Sequence, residues 1–179
     1  DAGALRIGLS ATLLETIFPP LFSRFGQRMP GVRLRVAEAS IPLSIADLRT
    51  GRLDFAVVGL GATDFGGDLR VEPLLSMGKS IAGRPDHPYL ASKSVKDLVD
   101  AVWALSDAPV HDADPMHGFF MSAGVDLPRQ VIECSSLHAA VALAVNSDVI
   151  TAIPDVLLAP GRAGGKLSRF DIREKLPPS

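Results

Sequence analysis

Along the first part of the chain, segments with the apolar spacing of strands alternate with segments that have the apolar spacing of helices. Apolar positions that alternate over roughly four to eight residues are typical of strands, and apolar positions three and four apart are typical of amphipathic helices. Strand patterns occupy residues 5–9, 32–39 and 53–59, and helical patterns occupy residues 12–28 and 42–50. The order βαβαβ predicts a parallel sheet with helices packed on its faces. Pro19 and Pro20 predict a kink or a restart inside the first helical pattern.

The two later strand patterns differ in polarity. In residues 32–39, apolar residues alternate with Arg33 and Arg35, so one face is predicted to meet solvent, as in an outer strand. Residues 55–59 (FAVVG) are almost wholly apolar, which predicts a buried central strand. Gly51, which precedes this strand, is predicted to end the second helix in a left-handed conformation.

The middle of the chain repeats the alternation as a second α/β unit. Residues 69–88 predict two strands that end at a proline-bounded turn. Further strand patterns are residues 102–106, 129–134 and 149–154, with 167–172 as one more possible strand, and helical patterns are residues 94–101, 119–124 and 136–146.

Two segments of the chain cross between the predicted units. The chain enters the second unit near residues 76–82 and leaves it near residues 147–154, and two such crossings imply a hinge. Residues 1–77 together with 152–179 are predicted to form lobe I, and residues 78–151 are predicted to form lobe II.

Composition places the chain among folded globular proteins. Its 47% hydrophobic and 21% charged residues are enough for a buried core and argue against disorder. The net charge of −2 supplies no basic field, so this chain alone is not expected to bind nucleic acid. Its apolar runs fall short of the roughly 20 residues that a membrane-spanning helix needs.

Cys134 is the one cysteine of the chain. No intrachain disulfide and no cysteine-based zinc site can form, and a reducing, cytoplasmic location is the simplest interpretation. The position of Cys134 at the end of an apolar strand predicts a buried, inert thiol. The first residues begin directly on a strand with no secretion signal, which indicates a fragment of a longer protein.

Hydroxyl residues follow three of the predicted strands. In chain order they are Ser10 and Thr12, then Ser106, then Ser135 and Ser136. Parallel α/β sheets bind ligands at the carboxyl ends of their strands, where the first backbone N–H groups of the next helix point outward. Hydroxyls and free amides at such a place suit a carboxylate, sulfonate or phosphate group. Serine and threonine are also common helix N-caps, so capping alone explains any one of these residues.

Metal chemistry has a weaker basis in the sequence. His111, Asp112, Asp114 and His117 are residue types that bind divalent metals. No regular spacing fixes them in their proline-containing loop, and a solvated loop is favoured. His87, in the turn RPDHP, is predicted to have a structural role.

Enzymatic and cofactor chemistry lacks a motif. The chain contains no G-x-S-x-G nucleophile elbow. The glycines at 59–67 lack the G-x-G-x-x-G spacing of a dinucleotide site, and Lys166 is followed by leucine where a phosphate loop needs serine or threonine. Asp107 is the nearest candidate for a catalytic acid or base. We therefore predict no enzymatic activity, no cofactor and no bound metal.

Four stretches of the chain carry a family resemblance. They are LRIGLSATLLETIFPPLFSRFGQRMPGVRLRVAEA, IADLRTGRLDFAVVG, AGRPDHPYLA and VIECSSLHAAVALAVNSDVITAIPD. In this order and spacing they resemble the effector-binding domain of LysR-type transcriptional regulators. The resemblance spans about residues 4 to 158, and PGVRLRV, GRLDFAVV and RPDHP are its most specific elements.

The resemblance implies a fold and a set of ligand contacts. The implied fold is α/β, with two Rossmann-like lobes joined by two crossover strands, the periplasmic-binding-protein-like fold of type 2. A small inducer binds between the lobes in this fold. The implied ligand-binding residues are Ser10, Ala11, Thr12, Gly59, Ser106, Ser135 and Ser136. The resemblance also implies a homodimer or tetramer, and a winged helix-turn-helix N-terminal to this chain that supplies DNA binding.

Taken together, these observations predict a non-catalytic ligand sensor. A small inducer of the carboxylate or sulfonate class is expected to bias the relative positions of the lobes, and through them the dimer arrangement, of a bacterial transcription regulator. The resemblance suggests the allostery, and the hydroxyl clusters suggest the anion. A solute-binding protein of a transporter shares the fold and stays open as an alternative, and an enzyme such as a dehydratase or lyase is a third class.

Overall fold

A computed structural model describes residues 3–59, 65–106 and 115–177 of the chain. By its contacts the chain divides into two compact units, Asp1–Val71 and Glu72–Ser179, called unit 1 and unit 2 below. Each unit contains its own sheet.

Unit 1 is built on a three-stranded parallel sheet in the order β2-β1-β3. Its strands are β1 (Ala4–Leu9), β2 (Arg33–Glu38) and β3 (Phe55–Val57), and its helices are α1 (Ala11–Thr16), α2 (Phe18–Arg28) and α3 (Ile41–Arg49). The predicted βαβαβ order and the parallel sheet are confirmed. The helical pattern breaks at Ile17 and restarts as α2 with Pro19 and Pro20 in its first turn, which confirms the predicted kink or restart. Gly51 has a φ of 68° and ends α3, also as predicted.

The predicted position of one strand is wrong. The pattern at residues 55–59 predicts the buried central strand, whereas β3 lies at an edge of the sheet and Phe55 is 44% exposed. β1 is the central strand. Because Gly8 in β1 has no side chain, the side chains of Leu53 and Ala39 pack close to its backbone. A Cβ at Gly8 would lie 2.8 Å from Leu53 Cδ1 and 3.0 Å from Ala39 Cβ. β2 is the other edge, which confirms the prediction made from its alternating arginines.

Unit 2 is built on a five-stranded mixed sheet in the order β6-β5-β7-β4-β8. Its strands are β4 (Lys79–Gly83), β5 (Val102–Ser106), β6 (Gln130–Cys134), β7 (Val149–Pro154) and β8 (Ser168–Arg169), and its α-helices are α4 (Pro115–Ser122) and α5 (Leu137–Asn146). β5 is parallel to β6 and β7, and β4 is antiparallel to β7 and β8. Two short 3₁₀ turns, Val95–Leu98 and Asp155–Leu158, complete the unit.

Three predicted elements of unit 2 are shorter than expected. Residues 69–88 contain the single strand β4 instead of two strands, and the short helix predicted at residues 94–101 is the 3₁₀ helix Val95–Leu98. Only Ser168 and Arg169 of the pattern at 167–172 pair as a strand.

The core of unit 2 surrounds Trp103, which is fully buried. Its indole N–H donates to the carbonyl of Leu98 at 3.0 Å, and its ring meets Phe120 edge to face at 5.1 Å between centroids. Ile81, Ile150 and other apolar side chains from the sheet close around this pair. This aromatic cluster packs against part of the sheet, and separate buried clusters around Ile153 and Leu157 and around Ala104 and Ala140 pack against the rest.

The two predicted crossing segments lie side by side in unit 2. β4 and β7 are antiparallel neighbours, with Lys79 opposite Pro154. The amide of Asp155 donates to the carbonyl of Gly78 at 2.9 Å, and its carboxylate accepts from Ser80 Oγ at 2.6 Å. This pairing joins the two segments, and the hinge itself stays a prediction.

The contact-based division differs from the predicted lobes at the end of the chain. Residues 152–179, predicted in lobe I, belong to unit 2. β8 pairs with β4, Glu174 accepts hydrogen bonds from Ser94 Oγ (2.7 Å) and the Val95 amide (3.0 Å), and Leu176 packs in the core around Trp103. Within the described ranges, no helix is both long enough and apolar enough to cross a membrane.

Candidate functional site

In unit 1, the carboxyl ends of the three parallel strands bring four of the predicted site residues to one edge. Ser10, Ala11 and Thr12 follow β1, and Gly59 follows β3. The amide of Ser10 donates to the carbonyl of Val57 at 3.0 Å, which ties the exits of these strands together. We call these residues, with Ser40, the unit 1 edge.

Ser10 occupies the N-cap position of α1 but does not cap it through its side chain. Its backbone is extended, with φ −63° and ψ 154°, and its hydroxyl makes no capping hydrogen bond. Its carbonyl accepts the first helical bond, from Leu14 N at 3.0 Å. Ser10 is half-buried, whereas Ala11 and Thr12 are buried. Among these three residues, Ser10 therefore has the hydroxyl best placed to meet a ligand.

Ser40 is a residue of this edge that sequence reasoning missed. It follows β2, is the N-cap residue of α3, and its hydroxyl likewise makes no capping hydrogen bond. Its carbonyl is used twice, since it accepts from the amide of Ser44 at 2.9 Å and from Ser44 Oγ at 2.7 Å. The signal was present in the sequence Ser40-Ile41-Pro42, because a serine shortly before a proline is a common helix start.

In unit 2, Ser106 and the serine pair 135–136 share another edge. Ser106 ends β5 and lies opposite Cys134, the last residue of the parallel strand β6. Ser135 and Ser136 follow Cys134 directly, so these three serines lie at the same edge of the sheet. We call them the unit 2 edge.

Ser136 does cap its helix. Its hydroxyl accepts from the amide of Ala139 at 3.2 Å, at the start of α5. Ser135 beside it is exposed and Ser106 is half-buried. The first turns of α1, α3 and α5 contain no acidic side chain, so no carboxylate of those turns neutralises the positive end of the helix dipole. These helix starts are electrostatically suited to a negatively charged group.

The remaining candidates from the sequence are the carboxylate and histidine residues between 107 and 117, together with Cys134 and His87. Asp107, His111, Asp112 and Asp114 lie outside the described residues. In the part of the chain that is described, no group of three or more histidine, cysteine or carboxylate residues could hold a metal ion.

Cys134 is half-buried and packs beside Ala104 and Ala140, so the predicted burial of its thiol is only partial. His87 lies in a turn, as expected, and is 4% exposed.

These features define a class of protein. Hydroxyls and helix starts lie at the carboxyl ends of parallel strands in two successive α/β units, an arrangement typical of domains that bind small ligands. The sequence profile of the LysR substrate binding domain family matches residues 1–179, and the chain belongs to that family.

A curated relative and two solved structures support this assignment. The HTH-type transcriptional regulator GalR of Pseudomonas putida is 31% identical over 171 residues, which cover 95% of this chain and 42% of that protein. The CcmR regulatory domain of Synechocystis, solved with 2-PG, superposes with a TM-score of 0.79 and 20% identity, covering 98% of this chain and 84% of that chain. The effector binding domain of QuiR, solved with shikimate, has a TM-score of 0.78 and 15% identity, covering 99% and 84%.

The structural neighbours confirm the predicted fold class, the periplasmic-binding-protein-like fold of type 2 with mixed α/β units. The relatives are transcriptional regulators, which decides against the solute-binding protein of a transporter. The chain spans about half the length of the curated relatives it matches.

Proposed function

We propose that this chain is the effector-sensing domain of a LysR-type transcriptional regulator and that it binds a small anionic effector without catalysing a reaction. The match to the LysR substrate binding domain over residues 1–179 carries the proposal. Support for a small-molecule effector comes from CcmR, which was solved with 2-PG, and QuiR, which was solved with shikimate.

The effector is a carboxylate or sulfonate. Ser10 and Ser40 leave their hydroxyls uncommitted to capping, and no acidic side chain occupies the first turns of the helices that follow them. A hydroxyl donates to an oxyanion, and the exposed N–H groups of a helix start add a partial positive charge.

Each edge offers contacts to an anionic effector. The unit 1 edge supplies Ser10, Ala11, Thr12, Ser40 and Gly59, and the unit 2 edge supplies Ser106, Ser135 and Ser136. The support is that each edge offers the same chemistry at the same topological position of its sheet, namely serines at the carboxyl ends of parallel strands. A ligand that binds one conformation of the chain more tightly than the others raises the population of that conformation, which is the physical basis of a sensor.

Thermal-shift screening of aromatic and aliphatic carboxylates and sulfonates tests the proposal first. A compound that binds only the folded state raises Tm, and the effector class should do so in a concentration-dependent way. Calorimetry then compares the wild type with Ser10→Leu and Ser106→Leu. Because a leucine removes the hydroxyl and fills its space, each variant should weaken binding at least about tenfold, or about 1.4 kcal/mol.

Ser23→Leu is the matched control. Ser23 is exposed on α2, and its hydroxyl reaches only the carbonyl of Pro19 at 3.4 Å. This variant should bind like the wild type. Unchanged affinity in Ser10→Leu would show that the unit 1 edge does not bind the effector, and unchanged affinity in Ser106→Leu would show the same for the unit 2 edge.

The whole regulator is a cytoplasmic homodimer or tetramer that binds DNA through a separate domain. The exposed apolar face of α2 supports self-association, since no residue of α2 is buried and both Leu21 and Phe22 are more than half exposed. Sedimentation of the full-length protein should show a dimer or larger species, and Leu21→Glu with Phe22→Glu should shift it toward monomer. Monomers at every concentration would contradict this assembly.

A further inference from the structure

We propose that His87 is an acid-sensitive latch, which in its neutral form holds the turn at residues 84–90 against Phe170 and the start of β7. Protonation of the His87 ring releases this turn. The turn directly follows β4, one of the two paired crossing segments, so the latch acts on unit 2 independently of any effector.

The turn is built around the backbone and ring of His87. Its amide donates to the carbonyl of Arg84 and its carbonyl accepts from the amide of Leu90, both at 3.0 Å. Its ring Nδ1 accepts from the amide of Tyr89 at 3.1 Å. An accepting Nδ1 carries no proton, so the ring proton is on Nε2 and the imidazole is neutral.

The ring is enclosed by apolar neighbours. It meets Phe170 edge to face at 5.3 Å and Tyr89 at 5.9 Å between centroids. The backbone of β4 runs against it, because a Cβ at Gly83 would lie 3.2 Å from His87 Cδ2. His87 Nε2 is buried, and no hydrogen bond to it is found among the described residues. A charge on this ring would therefore be poorly solvated.

Charged groups face the ring from two elements. Arg84 and Asp86 belong to its own turn, and Asp148 precedes β7. The Arg84 guanidinium bridges the two carboxylates, pairing with Asp148 at 2.6 Å and with Asp86. Phe170, after β8, contributes only an apolar ring, and the phenol of Tyr89 is the other titratable group beside the imidazole.

Burial is the largest influence on this histidine and lowers its pKa below the ordinary value of 6.5. The backbone and carboxylate of Asp148 and the carboxylate of Asp86 act in the opposite direction, while Arg84 adds to the lowering. The unfolded chain consequently binds a proton at a pH where the folded chain does not. The neutral ring contributes stability that is fully present above pH 6.5 and is lost as the pH falls toward the folded pKa.

Protonation also breaks a specific hydrogen bond. Nδ1 gains a hydrogen and can no longer accept from the amide of Tyr89, so two donors then face each other inside a buried turn. Loss of this bond is the local event that opens the turn. The amide of Tyr89 therefore reports the state of the latch.

Hydrogen exchange of the wild-type chain tests the latch directly. After correction for the intrinsic exchange rate, the opening equilibrium at the Tyr89 amide should rise by up to about tenfold for each pH unit below 6.5, until the folded pKa is reached. NMR titration of the His87 ring in the folded protein should place its pKa below 6.5. A ring that titrates at or above this value would overturn the proposal, and so would protection at Tyr89 that does not change with pH.

His87→Asn separates the latch from a purely structural role. The Asn carboxamide oxygen can accept from the amide two residues ahead, as in an Asx turn, but it cannot take up a proton. The variant should lose the pH dependence at Tyr89, although the loss of ring packing lowers its overall stability. His138→Asn, an exposed histidine on α5, should keep the wild-type dependence. Wild-type pH dependence in His87→Asn would assign the effect to another group and overturn the proposal.

Discussion

Gly164 shows at the scale of one residue why a loop that looks flexible in sequence is closely packed. A Cβ at this position would lie 2.5 Å from Ile153 Cδ1 and 3.0 Å from the carbonyl oxygen of Leu157. The same carbonyl accepts from the amide of Gly164 at 3.1 Å, so the backbone cannot move away without loss of that bond. The glycine is needed here for close approach and not for a left-handed turn.

Gly164→Ala should lower the free energy of unfolding by about 1–3 kcal/mol, since the added methyl overpacks a buried contact with the main chain. Gly118→Ala is the matched control, because Gly118 lies inside α4 and a methyl group added there would have open space within 4 Å. There the alanine should raise stability by about 0.5–1 kcal/mol. Urea unfolding curves test whether the free energy of unfolding falls in Gly164→Ala and rises in Gly118→Ala. An unchanged free energy of unfolding in Gly164→Ala would mean that Ile153 and Leu157 can move aside.

At the scale of elements, two serines that the sequence presents as equivalent N-caps behave differently. The hydroxyl of Ser136 accepts from the amide of Ala139, whereas the hydroxyl of Ser10 makes no capping bond. Both lie at a strand-to-helix junction, so the pattern alone predicts capping for each. The rotamer of a side chain is set by its surroundings, and the sequence pattern does not report it.

Ser136→Ala should therefore destabilise the chain by about 0.5–2 kcal/mol, because the amide at the start of α5 loses its acceptor. Ser10→Ala should change stability by less than about 0.5 kcal/mol, since no capping bond is removed. Thermal unfolding without effector measures both. Equal losses in the two variants would indicate that Ser10 caps α1 in solution.

The sequence predicts the order and type of most elements, but it predicts less well which strands lie beside each other in a sheet. The order βαβαβ, the helix restart at the proline pair and the outer position of β2 follow from local periodicity and proline chemistry, and all are confirmed. The central place of β1 does not, because it depends on the close packing that Gly8 allows. Ser40 has a local helix-start signal in its sequence, but its place at the same edge as Ser10 comes from the pairing of β2 with β1, which the local pattern does not report.

For the whole molecule, the two units have very unequal cores. The buried hydrophobic side chains of unit 1 are Ile7, Leu9, Ala11, Leu13 and Leu53, and all the others found among the described residues belong to unit 2. Buried apolar area is the main favourable contribution to folding, so unit 1 should open more readily than unit 2. The assignment of residues 152–179 to unit 2 adds to this asymmetry, because Leu157, Phe170 and Leu176 are buried there.

Native-state hydrogen exchange of the chain of residues 1–179 should consequently give two levels of protection. Amides of the central strand β1, such as that of Leu9, should exchange with a lower opening free energy than those of Trp103 in β5 and Ile150 in β7. Urea unfolding followed by the fluorescence of Trp103, the one tryptophan, should report only the later transition, whereas far-UV circular dichroism should begin to change earlier. Coincident transitions with equal protection in both sheets would show that the units fold as one cooperative body.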